Sequence, residues 1–168
     1  MEAQKIVVVS DSHGHNEYIN EVIERERPFN TLVHCGDAER DLDYLEYEYR
    51  AGIDFGFVQV RGNCDYYSDL DASRDFKVGF YNIHVEHGHE SNVKYDLGIL
   101  LRKAKKLGAD VVLFGHSHVP EIVEKDGVLL MNPGSVTLPH QEPRLKSYGV
   151  LYISDDELPK GQIKYLDE

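Results

Sequence analysis

The sequence has few cysteines, no long apolar run and no leader-like start. Its two cysteines, Cys35 and Cys64, give no sign of a disulfide framework, and we expect both thiols to be reduced. No apolar stretch is long enough to cross a bilayer. The first residues run straight into a strand-like segment, without the basic start, apolar run and cleavage site of a signal peptide. We therefore expect a cytoplasmic protein with no membrane partner.

Basic residues are also scarce, with 18 Lys and Arg against 30 Asp and Glu and a net charge of −12. Long nucleic acids are bound through clustered Lys and Arg, so we do not expect such a partner. A small anionic substrate is still compatible, because divalent cations held by carboxylates and imidazoles would invert the local field. The 168 residues are 41% hydrophobic, enough for a core, and we expect a single domain over residues 1–168.

Hydrophobic periodicity predicts an α/β fold whose sheets mix parallel and antiparallel strands. The chain opens as β-α-β-α-β, with the elements at 6–9, 17–27, 31–34, 41–50 and 57–60. A hairpin with arms 75–81 and 83–86 is expected to turn at Asn82. The remaining predicted elements are a helix at 94–107, a strand at 110–114, a hairpin around 125–127 and strands at 148–153 and 162–166.

Polar residues with metal-binding side chains follow five of the predicted strands. Ligand sites of α/β sheets lie at the carboxyl ends of strands, where residues distant in sequence converge. Side chains two apart in an extended segment point the same way, so a D-x-H or an H-x-H pair can face one cavity. We therefore expect one shared metal site. Its candidate ligands are Asp11, His13, Asp37, Asn63, His87, His116 and His118.

Other polar residues admit two interpretations. We expect packing or surface roles for His34 and His84, whereas His15 and His89 could equally orient phosphate or support a ligand. Arg61 could bind phosphate or form an ion pair. Hydrogen bonding in turns, and not nucleophilic attack, is expected of Ser12, Ser117 and Ser135.

The order D-x-H, G-D, G-N, H, G-H-x-H resembles the signature of the calcineurin-like metallophosphoesterases over nearly the whole chain. The short length and the stretches Gly62-Asn63-Cys64-Asp65 and Asn132-Pro133-Gly134-Ser135 are similar to small bacterial and archaeal phosphodiesterases of the YfcE type. The resemblance implies a four-layer α/β/β/α sandwich with mixed sheets. It also implies two metal ions, one held by Asp11, His13 and His118 and the other by Asn63, His87 and His116, with Asp37 as the bridge.

Carboxylate, imidazole and amide ligands suit Mn²⁺, Fe²⁺, Zn²⁺, Co²⁺ or Ni²⁺, and the resemblance favours Mn²⁺. With two ions about 3.5–4 Å apart, a bridging water becomes a hydroxide that attacks phosphorus in line. We expect Asp37, Asn63 and His87 to serve this catalysis. Larger phosphatases of the superfamily carry a leaving-group histidine where this chain has Cys64. The thiol is a poor replacement, so a packing role is expected and another group must supply the proton.

The function predicted from these residues is hydrolysis of a small phosphodiester. A phosphomonoesterase with the same centre is an alternative, and so is a non-catalytic protein-binding module such as the retromer subunit on this scaffold. All the expected ligands are present, which favours catalysis over the binding module. A homodimer is compatible with the sequence only because symmetric dimers are common.

Overall fold

The computed structural model describes residues 1–40, 42–49 and 55–167. Within these residues there are three α-helices, one short 3₁₀ helix at His89–Ser91, and ten strands. The α-helices are α1 (Asn16–Glu26), α2 (Asp43–Glu48) and α3 (Gly98–Leu107). The strands are β1 (Gln4–Val9), β2 (Thr31–His34), β3 (Gly56–Gln59), β4 (Ser73–Val78), β5 (Tyr81–Glu86), β6 (Val111–Leu113), β7 (Pro120–Lys125), β8 (Val128–Pro133), β9 (Ser147–Ile153) and β10 (Lys160–Tyr165). Both end residues of the predicted helix at 41–50 lie outside the described residues.

Each of the two sheets mixes parallel and antiparallel strands, as predicted. The first has the order β10-β9-β1-β2-β3, in which β1, β2 and β3 are parallel and β9 and β10 are antiparallel to their neighbours. The second has the order β4-β5-β6-β8-β7, with a parallel centre of β5, β6 and β8 and an antiparallel strand at each edge. The parallel strands β1, β2, β3, β5 and β6 precede the candidate ligands.

Alternating side chains of the strands build a four-layer structure. In β1, Ile6 and Val8 join the core between the two sheets, whereas Val7 and Val9 face the core shared with α1 and α2. On the outer side of the second sheet, Leu100 of α3 packs in a third core with strand residues such as Val112. The predicted α/β/β/α sandwich is therefore confirmed. None of the described helices is long and apolar enough to span a bilayer.

Two predicted boundaries were wrong. The first hairpin turns at Gly79 and Phe80, because Val78 pairs with Tyr81, and Asn82 lies within β5. Gly79 adopts a φ of 57°, which a tight turn requires and glycine adopts readily. Helix α3 begins at Gly98 and not at 94, because the carboxylate of Asp96 accepts a hydrogen bond from the Gly98 N–H over 2.7 Å and ends the preceding turns.

Candidate metal centre

The candidate ligands meet where five of the parallel strands end. Loops after β1, β2 and β3 of the first sheet and after β5 and β6 of the second carry them to one edge of the sandwich. Asp11, Asp37, His87 and His118 are buried, His13 and His116 are half-buried, and Asn63 is exposed. The two-residue spacing of the sequence thus places Asp11 with His13, and His116 with His118, on the same loops.

The first group of ligand atoms surrounds a carboxylate oxygen of Asp11. Its Oδ1 lies 3.1 Å from Nε2 of His118 and 3.9 Å from Nε2 of His13. The two imidazole nitrogens are themselves only 3.3 Å apart. Ligand atoms of these three residues all lie within 4.8 Å of one another, a spacing that would allow them to hold a metal ion.

The second group lies beside the first. His87 Nε2 is 3.2 Å from Oδ2 of Asp37 and 3.8 Å from Oδ1 of Asp11. The ring of His116 is centred 5.1 Å from that of His87, and one ligand atom each of Asp37, His87 and His116 falls within the same 4.8 Å limit. Asp37 also shares such a cluster with His13, so its carboxylate lies between the two groups.

Three imidazoles are oriented so that Nε2 faces the centre. Nδ1 of His13 lies 2.9 Å from Oε2 of Glu39. Nδ1 of His87 lies 2.8 Å from the Cys35 carbonyl oxygen, and Nδ1 of His118 lies 2.7 Å from that of Leu138. An Nδ1–H that donates to such an acceptor leaves the Nε2 lone pair free for a metal. His87 Nε2 and Asp11 Oδ1 are buried without a hydrogen-bond partner among the described residues. Such orphaned polar atoms are expected where a cation binds.

The charges of the site favour ionised carboxylates. Burial opposes ionisation of Asp11, yet its contact with His118, the charge of His87 and the hydrogen bond from Ser10 hold its pKa below the usual value. For Asp37, burial is likewise outweighed by His87, and the pKa is lowered. Burial, together with the charge of His87, lowers the pKa of His116 to about 4. That imidazole is therefore neutral at physiological pH, as a metal ligand must be.

Strained backbone aims several of these side chains. Only eight non-glycine residues of the described chain have positive φ, and five of them are candidate ligands. Such conformations cost free energy and cluster at functional sites. The five are Asp11, His13, Asp37, His116 and His118.

Asp65 ties the loop after β2 to the loop after β3. Its Oδ2 accepts the N–H of Asp37 at 2.9 Å and of Gly62 at 2.7 Å, while Oδ1 accepts the N–H of Glu39 at 2.8 Å. Three backbone donors thus converge on one buried carboxylate, which fixes the position of the Asp37 backbone. Asp65 was visible in the sequence only as part of the G-N-C-D stretch, and its role was not predicted.

Residues 132–137 support the centre from the second sheet. Ser135 Oγ donates to the Asp11 carbonyl over 2.8 Å, and Thr137 Oγ1 donates to the Ser12 carbonyl over 3.0 Å. Asn132 Nδ2 donates to the Gly115 carbonyl over 3.0 Å and to Ser117 Oγ over 2.9 Å. These contacts give the N-P-G-S stretch a physical role, and Ser117 and Ser135 take part in hydrogen bonds within loops, as expected.

Asn63 and Cys64 occupy the rim of the site. Asn63 is exposed, and its amide nitrogen donates to Cys64 Sγ over 3.5 Å. The Cys64 N–H donates to Oδ1 of Asp37 over 2.8 Å, and Sγ lies within 4.8 Å of ligand atoms of His13 and Asp37. Cys64 is therefore closer to the centre than a packing role implies, which the sequence did not indicate.

Of the five remaining histidines, His140 stacks on His118 and the other four divide into two pairs. His34 and His84 are buried, and each imidazole is fully occupied by hydrogen bonds away from the candidate ligand atoms. His15 is exposed, with Nδ1 bonded to Oε1 of Glu17 at 3.0 Å. His89 lies beside the centre, its ring 5.4 Å from that of His87, and its buried Nδ1 has no hydrogen-bond partner among the described residues. Arg61 is exposed.

Comparison with known proteins identifies the family. The family model of the calcineurin-like phosphoesterase superfamily domain matches residues 4–156. The chain belongs to this superfamily. The metallophosphoesterase is 34% identical over 152 residues to the probable metallophosphoesterase YsnB of Bacillus subtilis, covering 90% of this chain and 85% of that protein.

Two further relatives agree with the family. A conserved protein of Streptococcus pneumoniae TIGR4, a predicted phosphoesterase, has a crystal structure similar to this metallophosphoesterase, with a TM-score of 0.81, 28% identity and coverage of 98% of this chain and 99% of that one. Phosphodiesterase MJ0936 of Methanocaldococcus jannaschii is 29% identical over 147 residues, which cover 77% of this chain and 82% of that protein. The resemblance deduced from the motifs is confirmed, and the chain is a metal-dependent phosphoesterase by family.

Proposed function

We propose that this metallophosphoesterase is a phosphodiesterase that hydrolyses a small phosphodiester with two divalent metal ions, Mn²⁺ being the favoured metal. Asp11, His13 and His118 would hold one ion, and His87 and His116 would hold the other. Asn63 is added to the second set by the resemblance to the family. Asp37 would bridge the two ions. Both sheets supply ligands, and on this basis we treat residues 1–168 as one catalytic domain.

One observation carries the proposal. Asp11 Oδ1 and His87 Nε2 are buried and lie 3.8 Å apart. His118 Nε2 and Asp37 Oδ2 come within 3.1 and 3.2 Å of them, yet neither atom makes a well-aligned hydrogen bond among the described residues. A buried polar atom left without a partner costs free energy, about 1–3 kcal/mol for an ordinary group and more for a charged one. Cations between these atoms would satisfy both, and the donor set of carboxylates and imidazoles suits a first-row transition metal.

The residues of the chain prepare the site for this chemistry. When bound, two divalent ions would lower the pKa of a water molecule and neutralise charge on the phosphoryl oxygens. Glu39, the Cys35 carbonyl and the Leu138 carbonyl fix the tautomers of three imidazoles, so their Nε2 atoms need not reorient. The Cys64 N–H holds Oδ1 of Asp37 and leaves Oδ2 directed toward His87. Preference for a diester is supported by the phosphodiesterase name of the Methanocaldococcus jannaschii relative.

Hydrolysis assays with defined metals test the proposal. Metal-stripped protein is restored separately with Mn²⁺, Ni²⁺, Zn²⁺ and Mg²⁺ and assayed on paired aryl phosphate monoesters and diesters. Faster turnover of the diester with a restored metal supports a phosphodiesterase. Faster turnover of the monoester favours the alternative, a phosphomonoesterase with the same centre. No turnover of either ester by metal-loaded protein would contradict an enzymatic role.

Replacement of the bridging carboxylate tests the ligand assignment. We expect Asp37→Asn to lower kcat by on the order of a hundredfold or more and to reduce bound metal per chain, because one charged oxygen shared by two ions is lost. Metal content by mass spectrometry and diester hydrolysis are the measurements. Asp156→Asn removes an exposed carboxylate between β9 and β10 and should change neither. Near-normal hydrolysis by Asp37→Asn with unchanged metal content would refute the assignment.

A further inference from the structure

A surface cavity of about 360 Å³ lies beside the metal centre. We call it the His140 cavity, and it is lined by Thr137, Leu138, Pro139, His140, Arg144 and Lys146. Two of these residues contact the candidate ligand His118. The Leu138 carbonyl accepts the hydrogen bond from its Nδ1, and the His140 ring stacks on the His118 ring with centroids 4.3 Å apart and an interplanar angle of 22°. A group bound in the cavity would therefore lie one imidazole away from the metal-facing atoms.

The charge of the His140 cavity is opposite to that of the whole chain. Among its described lining residues every ionisable one is basic, although the chain carries a net charge of −12. The larger cavity beside Cys64, about 670 Å³, differs, because four carboxylates line it and its one basic lining residue among those described is Arg40. An anionic group would thus find complementary charge on the His118 side of the centre and not on the Cys64 side.

Lys94 adds a further positive charge near the same cavity. Burial and the charge of His118 lower the pKa of His140, and the positive charges of Lys94 and Arg144 lower it further. Lys94 also contributes to the lowered pKa of His116, after burial and the charge of His87. Its positive charge is therefore within electrostatic reach of both imidazoles.

Arg144 and Lys94 are available to bind an anion, whereas Lys146 already lies 3.3 Å from the carboxylate of Asp167. Arg144 pairs only with Glu142 among the described residues, at 3.2 Å and with both side chains more than two-thirds exposed, and such surface pairs contribute little. Lys94 is exposed and has no ion pair within the described part of the chain. The His140 ring accepts or donates no hydrogen bond to any described residue, so its N–H can donate to a ligand.

We propose that the His140 cavity is a second anion subsite, which binds a phosphate or carboxylate group of the substrate while the scissile phosphoester lies at the metal centre. This inference rests on the proposed function, since it assumes a phosphoester at the metals. Arg144 can bind the anion through a bidentate guanidinium contact, and the positive charge of Lys94 adds to the attraction. The natural substrate is accordingly a phosphoester with a second anionic group, not a singly charged diester.

Binding of three ligands that share a flexible chain tests the subsite. They are hexyl phosphate, hexanediol bisphosphate and the phosphate ester of hydroxyhexanoate, titrated calorimetrically into Mn²⁺-loaded protein. We expect one or both doubly anionic ligands to bind about tenfold more tightly than hexyl phosphate. The larger gain identifies whether the subsite prefers phosphate or carboxylate.

Variants that remove one positive charge test whether the gain in affinity comes from the His140 cavity. In Arg144→Gln and in Lys94→Gln the advantage of the second anion should fall at least about threefold, because one cation of the subsite is lost in each. Lys160→Gln is the matched control, because Lys160 is exposed and forms an ion pair with Glu157, as Arg144 does with Glu142. Lys160 lies opposite Tyr152 in the sheet, near the end of β1 that is remote from the metal centre. This control should retain the full advantage.

Three results would overturn the subsite: no gain for either doubly anionic ligand, a gain that survives in both variants, or an equal loss in Lys160→Gln. Aryl phosphoester hydrolysis is measured separately on the same preparations. Lack of hydrolysis contradicts the proposed function, whereas lack of the affinity gain contradicts the subsite, because binding is measured without turnover.

Discussion

Among single residues, Cys64 is the thiol that lies beside the candidate metal ligands. Its Sγ lies within 4.8 Å of ligand atoms of His13 and Asp37. Burial, followed by the charge of Asp37, raises the pKa of the thiol to about 11. In the metal-free chain this thiol is therefore a weaker acid than an unperturbed one. We therefore expect Cys64 to contribute little as a general acid.

The rate of hydrolysis should therefore depend strongly on the pKa of the leaving group. We expect kcat/KM for a series of substituted aryl diesters to rise as the pKa of the leaving phenol falls, because little protonation assists its departure. Cys64→Ala should show the same slope and lose less than about tenfold in rate, since the thiol is not the proton donor. A rate independent of phenol pKa in the unmodified protein would show that some residue protonates the leaving group efficiently.

A second residue-scale feature is the buried ion pair of His84. Its Nδ1 lies 2.7 Å from Asp75 and its Nε2 3.1 Å from Glu86, which also accepts a hydrogen bond from Lys103. Burial alone would lower the pKa of His84, but the hydrogen bonds to Glu86 and Asp75 raise it above the usual 6.5. Burial of Glu86 is outweighed in the same way, and its pKa falls to about 2.

The pH dependence of stability follows from the sign of the His84 shift. A raised pKa in the folded state means that the protonated imidazole stabilises the protein fully below pH 6.5 and that this contribution is lost as pH rises through the folded pKa. The unfolding free energy of the unmodified protein should therefore exceed that of His84→Gln by more at about pH 6 than at about pH 9. His15→Gln, a control at an exposed site, should change the unfolding free energy little. An equal difference for His84→Gln at both pH values would exclude a protonated pair.

At the scale of elements, the centre depends on how closely the loops after β2 and β3 approach. A Cβ added to Gly62 would lie 2.1 Å from Oδ1 of Asp37 and 2.5 Å from its backbone nitrogen. No side-chain rearrangement relieves the second contact, so one loop must move. Gly56, in the strand before the same loop, has space for a methyl group, with its nearest atom at 3.7 Å.

The two glycines make a matched test of loop spacing. Gly62→Ala should weaken metal binding by about tenfold or more, because it displaces the carboxylate that lies between the two ligand groups. Gly56→Ala should leave metal affinity unchanged. Metal titration of the two variants followed by calorimetry measures both effects. Equal affinities would mean that the loops adjust without moving Asp37.

The strand ends that carry the candidate ligands could be predicted from the sequence, since buried β-branched runs mark parallel strands whose carboxyl ends share an edge. The four layers were expected only from the resemblance to the family. The turn of the first hairpin could not, because Gly79 and Asn82 both suit a turn and only strand pairing decides between them. Contacts between loops could not be predicted from the hydrophobic pattern of the sequence either. The three hydrogen bonds to Asp65 and the stacking of His140 on His118 depend on distances that no sequence spacing encodes.

For the molecule as a whole, Glu26 joins elements far from the metal centre. It ends α1, is 3% exposed, and its carboxylate contacts Lys5 of β1 at 2.7 Å, Tyr148 of β9 at 2.7 Å and Lys164 of β10 at 2.8 Å. Lys5 lies at the start of β1, whereas Asp11 follows the end of that strand. Stability supplied by this cluster is therefore separated from the chemistry by the length of the sheet.

Removing the charge of Glu26 should lower stability without affecting the metal centre. Glu26→Gln leaves two lysines beside a neutral amide, which we expect to cost about 2 kcal/mol of unfolding free energy. Glu24→Gln, an exposed change on the same helix, should cost little. Denaturant unfolding of metal-free protein gives the two free energies, and metal titration of the folded variants should give equal affinities. A loss of metal affinity in Glu26→Gln would instead show that the amino end of the first sheet is coupled to the ligand loops across the whole strand length.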